Sequence, residues 1–275
     1  MLRLLRLEIT LKHEYGLAIV IGVKAPMDRD TQQGGSQDRF PLTKRSMIEA
    51  ACGDDPNARQ LAVQKLVAVY WKPIYKHIRM KWRASNEESK DLTQGFFAAM
   101  LERGFIEKYA DQRATFRTYL RLCVDGFVAN ERKAAGRKKR GGDHRFVGLD
   151  FEAAEADFSR ATTPTSNDEG YFDRECLRSL FETATRSLRT VCEESDKHVN
   201  FSLFERYDLC GTAAGGRPTY DELAAEFRLP VTQVTNYLAW SRRTFRRCAL
   251  DALRELTGND EDFREEARRL FGVNA

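Results

Sequence analysis

Pro218-Thr-Tyr-Asp-Glu-Leu-Ala-Ala-Glu-Phe-Arg-Leu-Pro-Val-Thr-Gln-Val-Thr-Asn-Tyr-Leu238 decides how the chain reads. Two apolar-periodic stretches, 220–227 and 231 onward, flank Arg228-Leu229-Pro230, a pattern that predicts a helix, a short turn and a second helix. Ala224 puts a small residue where the two helices must cross closely, and Pro230 sits at or just before the start of the second. That helix is expected to bury Val231, Val234 and Leu238 and to expose Thr232, Gln233, Thr235 and Asn236. Short polar side chains near a helix N-terminus suit base edges and phosphates in a major groove. The helix continues into Ser241-Arg-Arg-Thr-Phe-Arg-Arg247, where Arg242, Arg243 and Arg246 are placed to neutralise phosphates. The competing reading is an ordinary helical hairpin with a basic solvated face. The small residue and the basic extension favour DNA, although Arg228 stands where such a turn usually carries glycine.

Upstream, the same 3.6-residue period recurs. It predicts helices over 58–82, with Pro73 inside, over 87–103, with Asn86 as N-cap and Gly104 as stop, and over 114–135. Further helices are expected over 171–194, 201–209 and 220–227, and from 231 to about 256. Residues 141–170 break the pattern with Gly141-Gly142, Asp150, Glu152, Glu155, Asp157 and Thr162-Thr-Pro-Thr-Ser-Asn167, the composition of a flexible acidic linker. The expected class is therefore all-α, two small helical bundles (44–140 and 171–256) joined by that linker, the second carrying the helix-turn-helix. Residues 1–43, polar and Gly-rich over 28–38, read as a disordered leader, or as a mis-called start with Met27 the true one. A short hairpin or strand over 7–23 is the alternative. The charged tail, 257–275, has room for one more short helix.

The third predicted helix runs into Asn130-Glu-Arg-Lys-Ala-Ala-Gly-Arg-Lys-Lys-Arg140, six basic residues in the nine from 132 to 140. Arg117 and Arg121 lie upstream, among Phe116, Tyr119 and Phe127. Basic side chains beside aromatic rings suit single-stranded or melting DNA, where bases stack on rings; a solvated basic helix end is the bland alternative. In Glu87-Glu-Ser-Lys-Asp-Leu-Thr-Gln-Gly-Phe-Phe-Ala-Ala-Met-Leu101, a polar edge at Asp91 and Gln94 beside an apolar face of Leu92, Phe96, Phe97, Met100 and Leu101 suits docking of another protein's helices; the bland alternative is a core helix, with Phe96 and Leu101 inside by their period.

The 275 residues are 42% hydrophobic and 31% charged, with a net charge of only +4. That excludes wholesale disorder. No apolar run approaches the ~20 residues that cross a bilayer, and Glu8, Lys12, His13 and Glu14 interrupt any signal-peptide core. No membrane association is expected, and the setting is cytoplasmic. The six cysteines are scattered without C-x-x-C or Cys/His zinc spacing, so they read as reduced thiols and no metal is expected. No P-loop, G-x-S-x-G or H-E-x-x-H occurs, and the four histidines stand alone. No catalytic residue, cofactor or enzyme activity is expected.

The three segments, in this order, resemble the extracytoplasmic-function sigma factors of bacterial RNA polymerase. Asp91-Leu-Thr-Gln-Gly-Phe-Phe97 is similar to the family's region 2.2, 116–133 to regions 2.3 and 2.4, and 234–246 to the region 4 recognition helix. Arg39-Phe-Pro-Leu-Thr43 and Tyr70-Trp-Lys-Pro-Ile-Tyr75 look like a family variant, and the resemblance spans about residues 39–256. It implies a transcription-initiation factor whose partners are core polymerase and promoter DNA, with an anti-sigma factor a further partner the family admits. It implies core binding through Asp91, Leu92, Gln94, Phe97 and Met100, with Gly95 where the family usually has glutamate. It implies capture and melting of the minus-ten element by Arg117, Arg121, Asn130, Arg132 and Lys133, with 107–115 as a pocket for a flipped base. It implies reading of the minus-35 element by Thr232, Gln233, Thr235 and Asn236, with Arg242, Arg243 and Arg246 on phosphates. Thr235 and Tyr237, where basic residues are common, imply a different preferred sequence. The alternatives are a helix-turn-helix regulator of duplex DNA that recruits no polymerase, and a nucleic-acid-cleaving enzyme.

Overall fold

The computed structural model describes residues 47–111, 114–135, 149–160, 170–210, 217–257 and 259–271. Among them the chain is all-α, with no strand. The helices are α1 (Met47–Ala51), α2 (Pro56–Lys81), α3 (Asn86–Glu102), α4 (Phe116–Ala135), α5 (Phe151–Arg160), α6 (Tyr171–Glu194), α7 (His198–Phe204), α8 (Tyr220–Phe227), α9 (Val231–Leu256) and α10 (Asp260–Phe271). A 3₁₀ turn, Glu107–Asp111, precedes α4, and a π turn, Glu205–Leu209, follows α7. No helix among the described residues is long and apolar enough to cross a membrane. The leader at 1–43, the basic residues 136–140 and the glycine-rich loop 211–216 lie outside the described residues.

The described residues group into two compact units, those between 47 and 183 together with 252–271, and those between 184 and 251. The boundaries fall inside α6 and α9. The first unit is built around α2, whose Ile74, Tyr75 and Ile78 are wholly buried. Asp55 caps its start, accepting from Asn57 N and Ala58 N, and Pro56 takes the first turn, where its missing N–H costs nothing. Phe96 and Phe97 of α3 and Val124 and Val128 of α4 complete the core. Ser85, not Asn86, caps α3, accepting from Glu88 N, while the Asn86 side chain lies 2.9 Å from the Tyr75 hydroxyl.

Asp125 ties α4 to α2. It accepts from Lys81 at 2.7 Å and from Trp82 at 3.0 Å, and His77 Nε2 lies 3.0 Å away. Burial opposes its charge, but the His77, Lys81 and Trp82 hydrogen bonds outweigh that and hold the carboxyl at about 2.

Two expectations are corrected in this unit. The segment expected to be a flexible linker contains α5, because Phe151 and Ala154 give it a buried stripe and its acids find partners on α2. Phe151 packs edge-on against Trp71 at 5.3 Å, and Glu155 accepts from both Arg79 and the Tyr75 hydroxyl. The first half of α6 also belongs here, joined to α2 by a buried Lys76–Glu175 pair at 2.8 Å and by Ser179 Oγ donating to Val69 O at 2.6 Å. The charged tail forms the further short helix it has room for: α10 buries Phe263, Ala267 and Phe271 in this unit.

In the second unit Leu203, Leu223, Val234 and Leu238 form one core, flanked by Tyr207, Tyr220, Ala224, Phe227, Leu229 and Tyr237. Ser241 Oγ donates to Asn200 O at 3.0 Å and fastens α9 to α7, and Phe204 stacks on Phe245 at 5.3 Å.

Candidate nucleic-acid interface

The start of α9 is positioned by α8 and the turn between them. Thr219 Oγ1 accepts from Glu222 N at 3.2 Å and Glu222 accepts in return from Thr219 N at 2.7 Å, a reciprocal cap that fixes where α8 begins. The helix ends where Arg228 enters the left-handed region (φ 54, ψ 46), letting Leu229 N donate to Ala224 O at 2.9 Å. Phe227 and Leu229 then turn back onto the core. With that crossing set, α9 exposes Thr232, Thr235 and Asn236. Gln233 is half-buried, its amide donating to Tyr237 Oη at 2.6 Å, and Thr235 Oγ1 donates to Val231 O at 2.9 Å. Val231, expected inside, is 39% exposed, because it precedes by one turn the first α9 residue that reaches the core, Val234.

The three arginines expected on phosphates separate. Arg243 is exposed and Arg246 half-buried. Arg242 is held inside by Asp208, whose carboxylate accepts from Arg242 Nε at 2.9 Å and Nη2 at 3.1 Å and also from Arg217. The guanidiniums of Arg217 and Arg242 lie 4.0 and 5.1 Å from the centre of the Tyr207 ring. The π turn carries Asp208 there: Cys210 N donates to Glu205 O at 2.8 Å, the wider coil that re-aims a side chain. Burial opposes the charge on Arg242, yet the Asp208 carboxylate outweighs it and holds the guanidinium pKa above its usual value. Arg242 is therefore corrected from a phosphate contact to an internal brace.

On α3, Asp91 is exposed and Leu92 and Gln94 are half-buried. Phe97 and Met100, also expected at a partner, are buried in the core and cannot make that contact in this conformation. The accessible edge instead runs from the exposed Asp91 through the half-buried Gln94 and Ala98 to the exposed Leu101, one face at helical spacing. Leu101, assigned by periodicity to the buried side, is 38% exposed. Gly95 sits at a close approach of α3 and α4: a Cβ there would lie 3.3 Å from the Phe127 ring, so glutamate would require that ring to give by a few tenths of an ångström.

On α4, Asn130, Arg132 and Lys133 are exposed and Arg121 half-buried. Arg132 pairs with Glu88 at 3.1 Å and lies over the Trp82 ring at 5.5 Å. The expected base-stacking rings are not available: Phe116 and Phe127 are buried, packed edge-on at 5.0 Å against Tyr109 and at 5.7 Å against Phe96, respectively. Tyr119 donates to Phe105 O at 2.8 Å. Arg117 is corrected as well. Its guanidinium is mostly shielded, paired with Glu266 of α10 at 2.5 Å and within 4.0 Å of Asp173. Burial opposes that charge, but Glu266 more than offsets it and raises the Arg117 pKa. In the 107–115 loop, Glu107 pairs with Arg59 at 2.7 Å and the buried Tyr109 donates to Asp262 of α10 at 2.7 Å; residues 112 and 113 lie outside the described residues.

No family model matches the chain, and neither curated proteins nor solved structures give a significant match.

Proposed function

We propose that the chain is a promoter-specificity factor of the sigma type, which binds bacterial core RNA polymerase and directs it to DNA. The observation that carries the reading is the α8–turn–α9 element, read as a helix-turn-helix. One helix end presents Thr232, Thr235 and Asn236, and Arg243 follows further along the same helix. Short hydrogen-bonding side chains ahead of a cation match the order in which a recognition helix meets base edges and then backbone. The Asp91–Gln94–Ala98–Leu101 edge of α3 supplies a mixed polar and apolar surface for polymerase. Arg132 and Lys133 supply cations, and Asn130 a neutral hydrogen-bonding amide, for the minus-ten strand. Run-off transcription with bacterial core polymerase on genomic fragments tests the reading: initiation at defined sites, dependent on this protein, is expected, and its absence on every fragment refutes it.

The burial of Phe116 and Phe127 and the pairing of Arg117 with Glu266 favour a second reading, a regulator that binds duplex DNA through α9 and melts nothing. It predicts operator binding with no affinity for core polymerase.

A further inference from the structure

We propose that α10 is a displaceable acidic cover, and that the face of α4 and the 3₁₀ turn beneath it is a binding site for the phosphates of single-stranded DNA. The inference rests on the reading of this unit as one that engages promoter DNA. A guanidinium and a phenol, Arg117 and Tyr109, are directed at one helix and each meets a carboxylate, Glu266 and Asp262. That donor pair fits two oxygens of a nucleic-acid backbone equally well. In α10 the tail brings five acidic residues against three basic ones in twelve positions, so it offers Arg117, which also has Asp173 within 4.0 Å, the same charge that DNA offers.

The fit is incomplete in the way a removable contact requires. A buried ion pair repays its desolvation only when the remaining lone pairs are satisfied. Glu266 is buried, and its Oε1 makes no hydrogen bond among the described residues. Beside it lies a cavity of about 20 Å³ lined by Tyr70, Phe116, Arg117, Cys176 and Glu266. The other anchors of α10 are the buried Phe263, Ala267 and Phe271, with Arg254 over the Phe263 ring at 4.1 Å and paired with Asp260 at 2.8 Å.

Linkage makes the proposal testable on the unmodified protein, because DNA that needs the covered face must release α10 by the same factor that α10 weakens DNA. Hydrogen–deuterium exchange over 260–271 is measured on the full chain with and without a fluorescein-labelled, mixed-sequence single-stranded oligonucleotide, alongside anisotropy titrations of the same probe. Added DNA is expected to deprotect α10. Glu266→Lys is expected to tighten binding by at least about fivefold, and Arg117→Ala in that background to abolish the gain. Glu265→Lys, the same charge change on an exposed position of α10, is expected to change little. If DNA binds while α10 stays protected, or if Glu265→Lys matches Glu266→Lys, the cover is overturned and the DNA reading stands. If no form of the chain binds the probe, the DNA reading of this unit falls and takes the cover with it. Should Glu266→Lys fail to fold, the exchange experiment on the unmodified chain decides alone.

Discussion

The exposed N-terminal end of α9 and the covered face of α4 began as equals, two helices with arginines at groove-facing spacing. At α9 Thr232, Thr235 and Asn236 near the N-terminus are exposed, and the arginine that is consumed, Arg242, is taken by Asp208, 34 residues away. At α4 the arginine nearest the start is taken by the chain's tail, 149 residues away. An arginine in a helical pattern therefore reports a surface only when no carboxylate elsewhere in the fold claims it. Asp208 and Glu266 are those claimants, and each can be removed.

The largest effect is expected at Asp208. Asp208→Ala leaves two guanidiniums around a buried site without their carboxylate, which costs about 3–5 kcal/mol when one partner of a buried pair is deleted. Urea unfolding should show it, and binding to duplex DNA should be lost with it. Arg242→Ala should also destabilise, whereas Arg243→Ala should leave the unfolding midpoint in place. Equal midpoints for Arg242→Ala and the unmodified chain would break the distinction between brace and surface residue.

Asp125 is the counterpart in the first unit. Asp125→Ala removes hydrogen bonds to charged and polar donors worth about 1.5–3 kcal/mol for a charged partner. The pH dependence has a definite sign. The folded carboxyl titrates at about 2, below its ordinary 3.8, so its contribution is full above pH 3.8 and is lost as pH falls from there through 2. Acid titration of unfolding should show a step in that window which Asp125→Ala lacks.

A third prediction concerns the polymerase edge. Asp91→Arg reverses an exposed charge without touching the core, so the fold should persist while core-polymerase affinity falls by roughly 2 kcal/mol, the scale of an interface hot spot. Phe97→Ala should instead unfold the protein before it reveals any binding role, since Phe97 is buried. A pull-down with folded Asp91→Arg at undiminished affinity would remove α3 as the docking helix.

Helix existence and the α8–α9 turn were legible because each depends on residues within a few positions of one another: Thr219 with Glu222, Ala224 with Leu229, Val234 with Leu238. What was not legible depends on distant partners. Nothing near Arg117 in sequence announces Glu266, and nothing near Arg242 announces Asp208. Phe97 and Met100 were drawn from a family motif whose apolar members serve the core in this chain. Leu101 escaped because period alone does not say which side of a stripe faces the neighbouring helix. The 151–160 segment was misread because its acids looked like solvated linker charge, whereas Glu155 has Arg79 and Tyr75 to meet.

The recognition end can be split more finely. Gln233 and Asn236 are three apart on α9, and their amides both donate and accept, as an adenine edge requires. Asn236→Ala should shift the selected upstream sequence at a cost of about 1–3 kcal/mol per lost base contact. Gln233→Ala should do the same only if DNA displaces the Tyr237 hydroxyl that now holds the amide. Arg243→Ala should weaken all sequences alike and flatten the salt dependence by roughly one counterion. Selection from a randomised upstream element against each variant separates these outcomes. A shifted consensus for Arg243→Ala with none for Asn236→Ala would put the register of α9 in error.

The smallest effect lies in the turn that sets this register. Arg228 holds φ 54 and ψ 46, a conformation that brings the Cβ of an L-residue against the following carbonyl and costs about 1–2 kcal/mol. Glycine removes that clash but gives up more chain entropy on folding, roughly 0.5–1 kcal/mol. The two terms oppose each other, so Arg228→Gly should stabilise by only a few tenths to about 1 kcal/mol, and Arg228→Val should destabilise, because a β-branched side chain tolerates the left-handed region least. Thermal unfolding of the pair reads the sign directly. The side chain itself is exposed, so a loss of stability in Arg228→Gly would mean that the guanidinium holds the turn. The left-handed backbone would then be a consequence of that contact rather than a strain the fold tolerates.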